Sequence, residues 1–431
     1  MHLLTKWLNR MVKVFPAFFI LIIAVADAQP VTHLTLEEVN QLARQNYPVI
    51  KQKDLIRQTA VLNIANLNKG YLPQFNISGQ ATYQSDVTSV DIPIPNLKIE
   101  SPSKDQYKVL ADISQLVYDG GAIMQQNEMQ ELNAAVEQQK VEVELYKLRQ
   151  QIDQLFLGVL YLNEQMQQVA LVENNIQVGV KNVQAQVENG IAFHSNLNVL
   201  KAELLKVQQR MIELKASRQG MIETLELFIN RPLTGDVVFD KPVIKSTNGD
   251  STITRPEIKL YSSQETLFDH QSKIIKAKNQ PKAIVFLQGG YGRPALNLLK
   301  NQFDFFYIAG IRFNWSLSGL YTKKRENELV EINKRTVNIQ QETFLLNTTA
   351  QLKQQQSEID KMKGLIESDE QIISLRASVT EAAKAQLQNG VITANDFLKE
   401  VNDEDQARQT LITHQIQLLQ AQINYQTISG K

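Results

Sequence analysis

Two stretches of this sequence, VQAQVENGIAFHSNLNVL at residues 183–200 and AKAQLQNGVITANDFLKE at residues 383–400, follow the same plan. In each, a segment with periodic apolar residues ends at an Asn-Gly pair, and a second such segment begins a few residues later. The two Asn-Gly pairs stand 200 positions apart (390 minus 190). Because glycine accepts the positive φ that many tight turns require, both pairs predict turns between helices.

The segments that flank these turns repeat apolar residues at steps of three and four over unusual lengths. Before the first turn the pattern covers residues 123–188, and after it the pattern covers 197–228. The second copy covers 345–387 and, less regularly, 394–427. A mean step of 3.5 residues keeps one seam facing a neighbouring helix. At 1.5 Å per residue the first arm would be about 100 Å long, so it is expected to run beside other long helices.

Composition excludes several classes of function. The chain has 431 residues with 45 basic and 45 acidic side chains, so its charge gives no support to nucleic-acid binding. It contains no cysteine, which excludes disulfides, thiol catalysis and lipid attachment through an N-terminal cysteine. Its five histidines are scattered, without metal-ligand spacing or a triad motif. We therefore expect no catalytic residues, no metal site and no cofactor.

The beginning of the chain predicts a secretory signal peptide over residues 1–28. Three basic residues precede an apolar run at 14–25, and Ala-Asp-Ala at 26–28 fits a small-x-small cleavage site. The run is shorter than the roughly twenty residues that a membrane-spanning helix needs; a retained anchor is the alternative. No later stretch is long and apolar enough, so any membrane-spanning part is expected to consist of strands.

Between the helices the apolar period changes from 3.5 to 2 in two places. Segments 73–118 and 283–317 each predict a β-hairpin, because apolar and polar residues alternate along them. In the second hairpin Asp304 and Arg312 lie on the polar face. The aromatic residues of the apolar face are Phe75, Tyr83, Tyr107, Phe303, Phe305, Tyr307, Phe313 and Trp315.

The order helix, two strands, long helix, turn, helix thus occurs twice and predicts an internal duplication. The first repeat would span residues 29–232 and begin with one helix at 34–70. A linker at 233–253 would follow, and the second repeat would span 254–431. Both long hairpins are free of proline, which breaks helix interiors. Two unrelated coiled-coil hairpins are the alternative.

Four strands per chain can neither cover their own edges nor enclose a lumen, since a small closed barrel takes about eight. In lipid an unpaired strand edge is prohibitive, because its backbone groups find no water. Three chains would supply twelve strands, about the size of known bacterial barrels. The aromatic face would then meet lipid, and charged residues such as Asp112 would face a watery lumen. A soluble sheet packed on the helices is the alternative.

Several short motifs, in order and in both repeats, resemble those of the TolC-like outer-membrane efflux proteins. LTLEE at 34–38 is similar to the start of the family's first helix, and YLPQ at 71–74 to its entry into the barrel. QLVYDGG at 115–121 and WSLSG at 315–319 resemble its strand-to-helix junctions, the second with Ser318 where Asp is usual. The resemblance covers essentially all of the sequence after the predicted signal peptide.

The two tips match the family unequally. In the second, DFL at 396–398 begins six residues after Gly390, as in the family's tip motif. In the first, the comparable piece begins with Asn198, which replaces Asp and stands eight residues after Gly190.

The resemblance implies a mainly α protein with β structure, a TolC-like trimeric channel. Each chain would give four strands to a 12-stranded transmembrane β-barrel and long helical hairpins to a periplasmic α-barrel. The homotrimer would lie in the lipid of the outer membrane of a Gram-negative bacterium and extend into the periplasm. It would act as the passive exit duct of a tripartite efflux or secretion system, docked to a periplasmic adaptor and an inner-membrane pump. The alternative is a periplasmic coiled-coil adaptor, which has one hairpin between soluble β-domains. The sequence leaves the cargo open.

The turns are the candidate docking sites for the adaptor, because the strands lie at the opposite end of each long arm. The tip residues are Asn189, Gly190, Asn389 and Gly390. Ordinary turns without a partner are the alternative.

Just past the second tip, Asp396, Glu400 and Asp403 recur at steps of four and three, so they share one helix face. The family closes its tunnel near this tip with acidic side chains, which makes these three the candidate pore constriction. In a trimer they would form carboxylate rings that attract cations. A solvated helix face neutralised by Lys399 is the alternative.

Overall fold

The computed structural model describes residues 33–89, 101–233, 237–244, 252–298 and 300–431. The predicted signal peptide lies outside these residues, as do parts of the predicted linker at 233–253. Within the described residues no helix is both long enough and apolar enough to cross a membrane.

The first repeat opens with two helices where the sequence predicted one. A two-residue strand β1 (His33–Leu34) precedes α1 (Leu36–Asn46), and α2 (Gln52–Asn68) follows a short 3-10 turn at Pro48–Lys51. The prediction of a continuous helix over 34–70 was wrong because it ignored Pro48. Proline lacks an N–H and pushes the preceding residue out of the helical region, and Tyr47 accordingly has φ −64° and ψ 124°. A capping box begins α1, with Thr35 and Glu38 each bonded to the other's backbone.

Strands and long helices make up the rest of the described chain. The first repeat continues with β2 (Gln74–Tyr83), β3 (Asp105–Tyr118), α3 (Ala122–Glu188) and α4 (His194–Ile229). After β4 (Val238–Phe239), the second repeat contains α5 (Pro256–Lys278), β5 (Lys282–Arg293), β6 (Asp304–Asn314), α6 (Gly319–Gln388) and α7 (Ala394–Ser429). The element order therefore repeats, with α3 and α6 of 67 and 70 residues and α4 and α7 of 36 each.

The two hairpins of strands form one sheet in the order β2-β3-β5-β6, and every neighbouring pair is antiparallel. The two repeats join in the middle of this sheet, where Tyr107 pairs with Arg293 and Ile113 with Leu287. Among the described residues, β2 and β6 each pair on one side only. The short strands β1 and β4 pair in parallel and hold the linker against the start of the first repeat.

The long helices associate as the apolar period predicts. Helix α3 packs along α4, and α6 packs along α7, while α3 also contacts α5 and α7. The buried apolar residues fall into two clusters. We call the one around Ile152, Phe156 and Leu225 the middle cluster, and the one around Ile176, Leu200 and Phe397 the tip cluster.

A buried polar layer separates the two clusters. Asp405 of α7 accepts hydrogen bonds from Gln168 of α3 (Nε2 to Oδ1, 3.0 Å) and from Arg210 of α4 (Nη1 to Oδ2, 3.2 Å). Arg210 also donates to Gln165 through Nη2 at 2.7 Å, and Gln409 donates to Asp405. The layer thus ties both helices of the first hairpin to α7 through charge-assisted hydrogen bonds.

Candidate functional site: the sheet faces, the helical tips and the acidic residues

All the predicted aromatic residues of the apolar face are exposed, from 43% for Tyr107 to 81% for Phe305. Strand register places those within the sheet on one side: Phe75 pairs with Ile113, and Tyr107 with Ala81 and Arg293. Phe303 directly precedes β6 and Trp315 directly follows it. The chain's own helices do not cover this face, whereas in a soluble sheet packed on helices the apolar face would be covered.

The aromatic residues of this face divide between its two ends. At the loop end lie Tyr83, Tyr107, Phe303, Phe305 and Tyr307, and at the helix end lie Phe75, Phe313 and Trp315. The part between them carries mainly aliphatic and small residues, such as Ile77, Ala111, Leu287, Ala309 and Ile311. From Phe305 to Phe313 is eight residues (313 minus 305), or about 27 Å along the strand. An apolar band between two aromatic girdles is the pattern of a surface that meets lipid.

Sequence analysis missed Tyr291, which completes the aromatic group at the loop end. Its ring centroid lies 4.6 Å from that of Phe305 and 5.6 Å from that of Phe303. The Arg293 guanidinium lies 5.3 Å from the centroid of Phe303 and is paired with Asp105. The alternation of Val285, Leu287, Gly289 and Tyr291 was present in the sequence. Its glycine made the apolar face of this strand hard to recognise.

The opposite face of the sheet, which we call the inner face, is mainly polar. On β2 it carries Gln74, Asn76, Ser78, Gln80 and Thr82, which alternate with the apolar positions. On β3 and β6 it carries charged groups, and the predicted polar-face residues Asp112, Asp304 and Arg312 all lie here. The aromatic exceptions on this face are Phe286 and Phe306.

The two predicted tips have nearly the same backbone. Gly190 and Gly390 have φ of 74° and 69°, in the left-handed region that favours glycine. In each turn the preceding asparagine, Asn189 or Asn389, donates through Nδ2 to the carbonyl four residues earlier at 2.8 Å. The first turn, whose family motif departs at Asn198, therefore has nearly the same backbone as the second.

The tips differ in how the outgoing helix begins. Thr393 and Asp396 form a capping box at the start of α7, whereas Phe193 precedes α4 without a side-chain cap among the described residues. Both turns expose apolar side chains: Ile191, Phe193 and Val391 are 72%, 80% and 70% exposed. Both turns thus present exposed apolar side chains at the very end of a long hairpin.

The three predicted constriction residues lie in two different environments. Asp396 accepts hydrogen bonds from the Thr393 hydroxyl (2.7 Å) and backbone N–H (3.1 Å), and these bonds hold the pKa of its exposed carboxyl below the usual range. Glu400 and Asp403 instead face Arg376 of α6, at 3.5 Å and 2.9 Å from Nη1. Lys399 lies 3.9 Å from Glu400.

Arg376, rather than Lys399, is thus the main cation beside these carboxylates. Sequence analysis did not single out Arg376. The spacing of Arg376 from the turn was a usable signal. Arg376 stands fourteen residues before Gly390 and Asp403 stands thirteen residues after Gly390, so a symmetric hairpin brings Arg376 and Asp403 together. Arg376 and Lys399 together balance the two negative charges of Glu400 and Asp403.

Among the described residues, no group of three or more His, Asp or Glu side chains is arranged as metal ligands. The buried carboxyl of Asp153 in α3 is hydrogen-bonded to Asn40 at 2.8 Å, and burial raises its pKa. It lies within the packed middle of the chain, where Asn40 and Thr427 hold it, and it supports α1 and α7 rather than forming a reactive site.

Comparisons with known proteins agree with this geometry. The model of a family described as outer membrane efflux protein matches residues 39–231. Among curated proteins, none matches the sequence. The fold is similar to solved structures of CusC (13% identity, TM-score 0.64, 91% of each chain covered) and of the Campylobacter jejuni outer membrane channel CmeC (12% identity, TM-score 0.63, 92% of this chain and 85% of that one). It is equally similar to the outer membrane protein VceC from Vibrio cholerae (13% identity, TM-score 0.63, 90% of this chain and 95% of that one).

The chain therefore has the fold of an outer-membrane channel protomer, with long helical hairpins below a four-stranded sheet. The resemblance indicated by the motifs is confirmed: the outer membrane efflux protein model matches residues 39–231, and the chain as a whole has the fold of solved outer-membrane channels. The predicted fold class is confirmed by the same findings, and the predicted location in the outer membrane agrees with them.

Proposed function

We propose that this protein is the passive outer-membrane exit duct of a tripartite efflux or secretion system, assembled as a homotrimer. The observation that carries the proposal is the sheet, which has an exposed aromatic-rimmed face and, among the described residues, two unpaired edges. Successive strands alternate in direction, so β6 of one chain placed beside β2 of the next continues the antiparallel pattern. Three copies of four strands close a ring of twelve and remove every edge.

Charges on the two faces of β6 test this proposal. Arginine at both Ala309 and Ile311 would lie on the lipid side, at a cost of about 2–4 kcal/mol each near the bilayer midplane. The doubly substituted protein is expected to lose heat-resistant trimers from the outer-membrane fraction. Ile308→Arg on the inner face of the same strand is the matched control and is expected to assemble. Trimers from the double variant at the normal level, or recovery of the unsubstituted protein from the periplasm without detergent, would refute the proposal.

We further propose that the tips dock to the periplasmic adaptor. The exposed apolar side chains at both turns support this proposal. Single cysteines at Ile191 and Val391 test this in a chain without native thiols. Thr393 is unsuitable because its hydroxyl caps α7. We expect thiol crosslinks from both positions to one periplasmic protein, and none from a cysteine at Leu205, which is 62% exposed on α4 away from the turn. Equal crosslinking from Leu205, or crosslinks only to outer-membrane neighbours, would contradict docking at the tips.

The acidic residues past the second tip are proposed to narrow the tunnel as carboxylate rings, with Asp396 the least neutralised. Asp396→Asn with Asp403→Asn is expected to lower cation preference in planar-bilayer recordings. Arg376→Gln is expected to raise it, because the substitution frees Glu400 and Asp403 from their partner. Unchanged selectivity in both variants would show that these groups lie away from the ion path.

A further inference from the structure

The inner face of the sheet contains two reciprocal phenylalanine–glycine pairs between β5 and β6. Phe306 pairs with Gly290, and Phe286 pairs with Gly310. A Cβ added at Gly290 would stand 2.6 Å from Cζ of Phe306, and one added at Gly310 would stand 3.3 Å from Cε1 of Phe286. Each ring therefore lies across the glycine of the neighbouring strand instead of projecting away from the sheet.

These rings form part of a continuous apolar strip. Leu110 of β3 covers Gly290 from the other side, with its Cδ2 2.7 Å from the added Cβ. Ile308 lies between Phe306 and Gly310 on β6 and is 39% exposed. We call Leu110, Phe286, Phe306 and Ile308 the inner strip. It is an apolar surface within a face that is otherwise polar.

A cation stands at one end of the inner strip. The Arg312 guanidinium lies 4.7 Å from the centroid of the Phe286 ring. Among the described residues no carboxylate lies within 4.0 Å of Arg312. Asp112 of β3 is two strands away and four residues out of register with it, a separation of about 16 Å. The charge of Arg312 is thus available to a ligand.

The inner strip and Arg312 together have the shape of an amphiphile site. From Arg312 to Phe306 is six residues along β6 (312 minus 306), or about 20 Å. A flat apolar track of this length with a guanidinium at one end complements an elongated molecule with an apolar body and one anionic group. Cross-strand Phe–Gly packing stabilises a sheet by itself, but it gives no reason for an unpaired arginine at its end.

We propose that the inner strip is a transit site for elongated anionic amphiphiles, with the anion on Arg312 and the apolar body along Phe286, Ile308 and Phe306. The proposal rests on the proposed function, in which the inner face lines the lumen, and it assigns a class of cargo to that lumen. A trimer presents three such tracks, each aligned with a strand and therefore tilted along the direction of passage.

Single-channel recording in planar bilayers tests the site with three probes: decanesulfonate, decyltrimethylammonium and ethanesulfonate. Decanesulfonate is expected to produce resolved current blocks, whereas the short anion and the long cation are not. Because a hydrogen bond to a charged group is involved, Arg312→Gln is expected to shorten the blocks roughly tenfold or more. Ile308→Ser, which leaves both Phe–Gly pairs intact, is expected to shorten them as well, and Lys108→Gln, a cation elsewhere on the inner face, is the control.

The outcomes separate the inference from the function on which it rests. Conducting trimers with equal blocks by decanesulfonate and decyltrimethylammonium, or with unchanged blocks in Arg312→Gln, overturn the transit site and leave the duct in place. Failure of the unsubstituted protein to form any conducting trimer overturns the duct and the transit site together. A loss of blocks in Lys108→Gln equal to that in Arg312→Gln shows a general effect of luminal charge and also overturns the site.

Discussion

Replacing Phe397 by alanine is expected to loosen the tip half of the protein and leave the middle intact. The side chain is 1% exposed, and a Cβ added at Gly179 would lie 3.0 Å from its Cε1. Because Gly179 has no side chain that could move into the vacated space, the cavity would persist. The loss of a fully buried phenylalanine costs about 3–5 kcal/mol.

Hydrogen exchange followed by mass spectrometry measures this loss locally on the purified protein. Where exchange occurs through local opening, each 1.4 kcal/mol changes its rate tenfold. A loss of about 3 kcal/mol therefore predicts more than a hundredfold faster exchange in peptides from the first turns of α7 and the end of α3. Peptides from α1, where Val39 and Ala43 belong to the middle cluster, are expected to keep their protection.

The matched control is Phe193→Ala at the other tip, where the side chain is 80% exposed. Surface substitutions of this kind change stability by no more than about 0.5 kcal/mol, so exchange is expected to change less than about threefold. If Phe193→Ala accelerated exchange as much as Phe397→Ala, or if α1 lost protection equally, the division into a tip cluster and a middle cluster would be wrong.

Three further predictions concern stability. Burial raises the pKa of Asp153 above its value near 3.9 in the unfolded chain. The folded state therefore loses stability as the pH rises from the pKa of the unfolded chain through the higher pKa of the folded protein. Asp153→Asn is expected to raise the thermal midpoint more at pH 8 than at pH 4, and an equal gain at both pH values would contradict this effect of burial. Arg210→Met leaves the carboxylate of Asp405 buried without its cation and is expected to lower the free energy of unfolding in urea by about 3 kcal/mol. The added substitution Asp405→Leu should restore much of this loss. Additive losses in the double variant would refute the pairing of Arg210 with Asp405. Gly120→Ala is expected to reduce the yield of assembled protein, because φ is +70° there and the new Cβ would stand 2.2 Å from Cβ of Gln280; a normal yield would show that the junction can shift.

The regular parts of this fold could be predicted from the sequence because their signals are local and repeated. Apolar periods of 3.5 and 2 indicated the long helices and the strands, and the Asn-Gly pairs marked both turns. The break at Pro48 was also readable, since proline restricts the residue before it, but the surrounding helical pattern obscured it.

Features that depend on distant pairs were not predictable in the same way. The contact of Arg376 with Asp403 spans both arms of a hairpin, and the packing of Phe306 on Gly290 needs the strand register. The position of Asp405 in a buried layer depends on three helices that meet only after folding. Such residues look like ordinary surface positions in a sequence, because nothing in their neighbours along the chain identifies the partner.

The buried polar layer fixes how the helices are aligned with one another along their long axes. A seam with a seven-residue repeat permits one helix to slide by seven positions while apolar residues still meet apolar residues. Such a slide would move Asp405 away from Gln168 and Arg210 and leave a buried carboxylate without its cation. Only one vertical alignment therefore satisfies the layer. In that alignment the two turns end level, close enough for Gln186 of the first hairpin to donate to the carbonyl of Leu387 in the second at 2.8 Å. A protein partner that binds at the tips would therefore meet two turns at the same level, although the two long arms differ in length by three residues (70 minus 67).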